Sequence, residues 1–339
     1  MNHLKLISLL TLACLSGPLV AADKEDGEVK ETCVRVVPEK DHLQFYSIYK
    51  PGSYCVDQDF YLQTGYALSE GWRESVPSSV ILSINSGDVV VDLQGHELKT
   101  NSNRVNGVKA YPDQYHPKAL NRIVIKNGTI DLRGGYGVSL ISQVIYEADK
   151  LRKNVALELA GAAHQAADRY RPSDYVLENL TIKTSGEGII LAGKNSIVRN
   201  CKIDAGNGAV QIYGPGAQVI NNEIILHSAE PDPHKYRNKP PIALILHDAE
   251  GAVVTGNTIT VKGKMKNAQA IVLSRSPNVR IENNKINGVA EAYVIDDTPA
   301  PLDPGQNPKG YAPPRDSGPA SSALLKDNVV NPRASWFPF

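Results

Sequence analysis

The sequence predicts an all-β solenoid, a chain wound into stacked strand-only coils, and three observations carry that expectation. Residues 175–226 say nearly the same thing three times, as YVLENLTIKTSGEGIILAGKN, SIVRNCKIDAGNGAVQIYGPGA and QVINNEIIL. The anchors Asn179, Asn200 and Asn221, each three residues before an Ile, recur at a period of 21, and a fixed period of that size marks stacked units. Each unit holds two or three strands of about four or five residues and no helical periodicity, which excludes the helical solenoids. Apolar residues alternate at Val176, Leu180 and Ile182 and again at Ile189 and Leu191. They supply inward side chains that stack like on like between coils about 4.8 Å apart.

An Asn at one corner suits a tight bend, because Asn tolerates φ > 0 and its amide can bond the Asn of the next coil. Carried along the chain, the anchor falls at Gly95, Asn127, Asn179, Asn200, Asn221, Gly256, Asn283 and Asp327. The spacings of 32, 52, 21, 21, 35, 27 and 44 imply insertions of 11, 31, 14 and 6 residues before a last step. Insertions in a solenoid map to loops and gather on the working face.

In chain order, MNHLKLISLLTLACLSGPLVAADKED carries Lys5, an apolar run from Leu6 to Leu15, and Val20-Ala21-Ala22. Residues 1–22 therefore read as a secretory signal peptide cleaved after about Ala22, and the mature protein is expected to be periplasmic or secreted. A lipid anchor on Cys14 competes with that reading, but Thr11-Leu12-Ala13 lacks the usual Leu three residues before the cysteine. No other stretch is long enough to span a membrane. In an oxidising compartment Cys33 and Cys55 are placed to bridge, whereas Cys201, in a strand, is expected as a buried thiol. Lys plus Arg is 36 and Asp plus Glu is 36, so no net field recommends nucleic acid or an anionic membrane as partner, and any substrate charge must be met locally.

Residues 23–75, with a turn and a strand at KPGSYCVDQDFYL, are expected to cap the first coil, because an open stack exposes an apolar end and unpaired strand edges. Residues 76–296 form the solenoid. Within it, residues 142–174 place Val144, Ala148, Leu151, Val155, Leu159, Ala162 and Ala166 at helical spacing before Pro172, the pattern of an inserted amphipathic helix. Residues 297–339 are Pro-rich and expected to be extended. Leu324, Leu325, Val329 and Val330 suggest one last strand there, and Trp336-Phe337-Pro338-Phe339 a cover for the exposed end.

VILSINSGDVVVDLQGHELKT, from Val80, and the later N-x-x-I coils resemble the right-handed parallel β-helix proteins of the pectate-lyase-like superfamily. The likeness spans residues 80–296 and implies a single right-handed parallel β-helix of about seven coils. It specifies the fold and leaves the chemistry to the side chains. Pectate lyases of that superfamily hold Ca²⁺ in an Asp cluster on neighbouring coils; here Asp204, Asp248, Asp296 and Asp297 are scattered along the repeat, so neither a metal nor another cofactor is expected. Paired carboxylates for glycoside hydrolysis are not evident either.

The insertions border the second strands of their coils, which predicts a groove with those strands as floor. Alternation then turns Gln211 and Tyr213 outward, followed by Ile245 and His247, then Ser274 with Arg275 at the turn. Tyr213, His247 and Arg275 would lie on successive coils. Such a row suits an acidic polysaccharide, because Arg pairs with a uronate carboxylate, a Tyr face carries a sugar ring, and His or Tyr exchanges a proton at the carbon beside the carboxylate. Lys194, Gln211, Lys235, Tyr236 and Arg237 are further candidate substrate-binding residues. Asp232-Pro233-His234 resembles part of the D-P-H-D motif of the β-helix mannuronan C5-epimerases, with Lys235 in place of the second Asp, and the likeness implies that His234 abstracts a proton. The expectation is a monomeric exported protein that binds a uronate-containing polysaccharide and, if it is an enzyme, acts on it as a lyase or C5-epimerase; the alternative is a non-catalytic carbohydrate-binding or structural β-helix protein.

Overall fold

The computed structural model describes residues 33–38, 45–62, 80–103, 105–110, 120–141, 173–206, 208–227, 241–263, 265, 267–297 and 320–332. Among them every strand pairing is parallel, in a seventeen-stranded sheet (sheet 1) and a nine-stranded sheet (sheet 2). Sheet 1 is two ladders joined where single strands, Ile123–Leu132 and Val176–Thr184, run through both. Each full coil therefore contributes three strand positions, two to sheet 1 and one to sheet 2. Where nothing is inserted the register advances by one repeat, so Ile189 lies beside Val210 and Leu191 beside Ile212. Ile189, Leu191, Val210, Ile212, Leu244, Leu246 and Ile271 are all fully buried, one aliphatic column above another.

The corner between the two ladders of sheet 1 is where the repeat was legible. Gly95, Asn127, Asn179, Asn200, Asn221, Gly256, Asn283 and Asp327 all have positive φ, between 51° and 86°. Only Gly, Asn and Asp adopt that conformation at small cost, which is why the eight positions hold nothing else. The corner also corrects one detail of the alternation. Val176 is half-buried whereas Leu177 is fully buried, because the left-handed residue at Asn179 resets the phase, leaving Leu177, Leu180 and Ile182 inward.

The amide ladder sits one residue beyond the anchor. Asn179 donates to Asn127 at 3.1 Å, but the longer ladder is buried up to its half-buried last member, with Asn222 Nδ2 donating to Asn257 Oδ1, Asn257 to Asn284 and Asn284 to Asn328, at 2.9, 2.9 and 3.0 Å. Each amide also donates to a carbonyl of the neighbouring coil, as Asn257 does to Val219 O at 2.8 Å, while its oxygen accepts the backbone N–H of Asn222 at 2.9 Å. These side chains point into the corner, where an unsatisfied amide would be costly. In the preceding coils that place is taken by Leu180 and Cys201, both buried.

The stack begins earlier than expected. Val34–Val36, Tyr46–Ile48, Gly52–Val56 and Phe60–Leu62 pair in register with the coils that follow, so residues expected as a cap already supply coil strands. Sheet 2 accordingly stacks nine strands, against about seven coils expected. Cys33 and Cys55 are disulfide-bonded, with Cα atoms 5.7 Å apart. Cys201 is buried and free, and burial pushes its thiol pKa up to about 11. At the other end Ala323–Lys326 and Val329–Asn331 add two strands rather than one. The expected signal peptide, residues 142–172 of the helical insertion expected over 142–174, and the tail at 298–319 and 333–339 lie outside the described residues.

Candidate functional site

The second strands of the coils do form one sheet, and its outward rows have the predicted register. Gln211 lies beside Ile245, and Ile245 beside Val272; Tyr213 lies beside His247, and His247 beside Ser274. The rows are not open to water, however. Tyr213, Gln211 and Ser274 are 6%, 8% and 3% exposed and His247 is 1% exposed, so the predicted solvent-facing row is instead a buried polar cluster. Alternation along a strand fixes which face a side chain takes but not whether something lies over that face.

One step past these strands the chain turns, with Asp248 at φ 52° and Arg275 at φ 48°. Because His247 and Ser274 are register partners, Asp248 and Arg275 occupy the same step on successive coils and their side chains meet. Arg275 Nη2 donates to Asp248 Oδ2 at 2.8 Å and to His247 Nε2 at 2.7 Å, and His247 Nε2 is 3.5 Å from the same carboxylate oxygen. A guanidinium has no acceptor, so Nε2 must be the acceptor and His247 is the neutral tautomer with its proton on Nδ1. The Tyr213 ring lies 5.4 Å from that of His247, tilted by 57°. On the next coil Asp297 Oδ1 accepts the Arg275 backbone N–H at 2.8 Å and pairs with Ser321 Oγ at 2.5 Å. An Arg in the left-handed region is uncommon, and this backbone contact helps hold it there.

A second chain of hydrogen bonds runs away from Tyr213. Its hydroxyl donates to Gln211 Oε1 at 3.2 Å, and Gln211 Nε2 donates to Glu187 Oε2 at 3.1 Å, Glu187 being 4% exposed. The structure thus brings Tyr213, Gln211, His247 and Arg275 together, as read from the sequence, and adds Asp248, Asp297 and Glu187. Asp248 and Asp297 read as scattered because insertions make their sequence spacing irregular. Counting back from the anchors does not place Asp297, which lies 30 residues before Asp327, whereas Asp248 and Arg275 each lie 8 before Gly256 and Asn283.

Lys194 is half-buried at the turn after an earlier second strand, and its carbonyl accepts the backbone N–H groups of Ser173 and Asp174. Among the described residues its side chain takes no part in the cluster's bonds. His234, Lys235, Tyr236 and Arg237 lie outside the described residues. His96, at the D-L-Q-G-H turn, has Nδ1 3.1 Å from Asp59 Oδ1, a tie between adjacent coils. Chemically the cluster offers one cation held between a carboxylate and a neutral imidazole, with a phenol alongside. Arg275 Nε is buried and has no hydrogen-bond partner among the described residues.

Comparison with protein families matches residues 152–299 to the right handed beta helix region. Comparisons with curated proteins and with solved structures each return no match. The matched span contains the regular coils whose parallel ladders are described above, and the match supplies the hand of the winding. The fold of the chain is a right-handed parallel β-helix.

Proposed function

We propose that this is an exported protein that binds an acidic, uronate-containing polysaccharide on the outward face of sheet 2 and acts on it as a lyase or C5-epimerase. The observation that carries the reading is the convergence of Arg275, His247 and Tyr213 from successive coils. Arg275 takes the uronate carboxylate; neutralising it makes the proton on the adjacent C5 removable. A carboxylate that draws the guanidinium away from His247 Nε2 frees that lone pair as the base. In elimination the C5–H pair becomes the C4–C5 double bond and the glycosidic oxygen leaves C4 with a proton from Tyr213. In epimerisation the Tyr213 hydroxyl instead returns a proton to C5 on the face opposite the one that lost it. The Cys33–Cys55 disulfide supports export, since such bonds persist in oxidising compartments.

A second reading, a non-catalytic polysaccharide-binding protein, is favoured by the 1% exposure of His247 and by the guanidinium on its Nε2. Incubation with alginate, pectate and related polymers decides between them. The ultraviolet absorbance of an unsaturated uronate reports elimination, proton exchange at C5 by NMR reports epimerisation, and a binding assay runs alongside. Turnover is expected to fall at least tenfold in His247→Ala and in Arg275→Lys. Binding without turnover across the panel selects the second reading, and turnover indifferent to both substitutions removes the site.

A further inference from the structure

The core columns of the solenoid end on an open face. Val254 and Ile281 are fully buried, yet Leu325, the next residue in that column, is 49% exposed. Ile259 and Ile286 are buried, yet Val330 above them is 37% exposed. In sheet 2, Leu246 and Leu273 lead to Ile295 at 59% exposure. Three separate core columns thus stop at one level, on the last strands of their ladders: Glu291–Ile295, Ala323–Lys326 and Val329–Asn331. Tyr293 belongs to the same level. It stacks on Ile271, and its hydroxyl is buried with no hydrogen-bond partner among the described residues.

The final strand ends at Asn331 beside this face, and the chain continues as Pro332-Arg333-Ala334-Ser335-Trp336-Phe337-Pro338-Phe339. Three of the last four residues are aromatic, the side chains with the most apolar area to bury. Eight extended residues reach about 26 Å, more than enough to cross a face whose opposed sheets pack about 10 Å apart. Pro332 and Pro338 lack the N–H groups needed to extend the ladders as another coil strand. We propose that the chain's own C-terminal residues 336–339 dock on the face formed by Tyr293, Ile295, Leu325 and Val330. Docked there, the aromatic rings cover the ends of the core columns, which prevents the open strands from recruiting another chain.

The protein has two Trp, Trp72 and Trp336, so in a Trp72→Phe background Trp336 reports its own surroundings. Its emission is expected to be blue-shifted, and its acrylamide quenching at least threefold slower than in denaturant, at every protein concentration. Leu325→Asp, at a site already half exposed, should bring quenching to the denatured value while leaving the β-sheet circular dichroism intact. A chain truncated after Ser335 should bind an apolar dye and self-associate. Denatured-like quenching in the native protein would sink the proposal. So would insensitivity to Leu325→Asp, or protection that disappears on dilution, which would make a second copy the occupant.

Discussion

Two columns of Asp–Arg–Asp stand on successive coils, and their chemistry differs although each turns through a left-handed Asp and a left-handed Arg. At the entry to sheet 1, Asp88, Arg122 and Asp174 are all left-handed, at φ 57°, 52° and 46°. Arg122 is hydrogen-bonded to Asp88 through both Nε and Nη2, with side chains 58% and 47% exposed. At the exit from sheet 2, Asp248 and Arg275 are left-handed as well and Asp297 follows on the next coil, yet Asp248 is 1% and the Arg275 side chain 11% exposed. The first column is a charge ladder in water. In the second the guanidinium divides its donors between a buried carboxylate and a buried imidazole, where the effective dielectric is lower and each charge depends on its partner. The surroundings, not the local geometry, decide which column is suited to chemistry.

That contrast can be broken most sharply at its cations. Arg275→Ala removes the cation beside a carboxylate with almost no access to water, and should cost about 3 kcal/mol, read as a lower midpoint in denaturant melts. Arg122→Ala should lower the midpoint far less, because an exposed pair gains little over solvation; an equal loss at the two sites would erase the distinction. Salt sharpens it further. Ionic strength raised to about 1 M shortens the Debye length to about 3 Å, so the Arg122→Ala penalty should vanish while the Arg275→Ala penalty persists.

The smallest effect expected is at low pH. The Arg122 guanidinium holds the Asp88 carboxyl below the usual carboxylate range. A group whose folded pKa is depressed contributes stability above its unfolded value, about 3.9, and loses it as pH falls through the folded value. Asp88→Asn should therefore flatten the pH dependence of stability below about pH 4 and change nothing near neutrality beyond the loss of the pair. An acid titration followed by circular dichroism, with and without the substitution, makes the comparison.

The coil architecture was legible because the corner imposes a chemical demand on single residues. Positive φ favours Gly, Asn and Asp, so an anchor chosen by letter found the bend in eight coils, from Gly95 to Asp327. The outward register of Tyr213 and His247 followed from strand alternation. The ladder of buried Asn222, Asn257 and Asn284, ending on half-buried Asn328, escaped notice because its residues adjoin the anchors and share their letter. Only burial separates an amide serving a bend from one serving the interior.

By itself the sequence determined that this chain winds in strand-only coils, where each coil turns, and which residues share a row, because periodicity and backbone sterics act locally. Tertiary structure alone decided that the outward row of sheet 2 is dry, that Asp248 and Asp297 meet Arg275, and that the core columns stop on an open face. Burial and charge pairing depend on what lies above a residue in space, and insertions of unequal length hide that neighbour from any count along the chain.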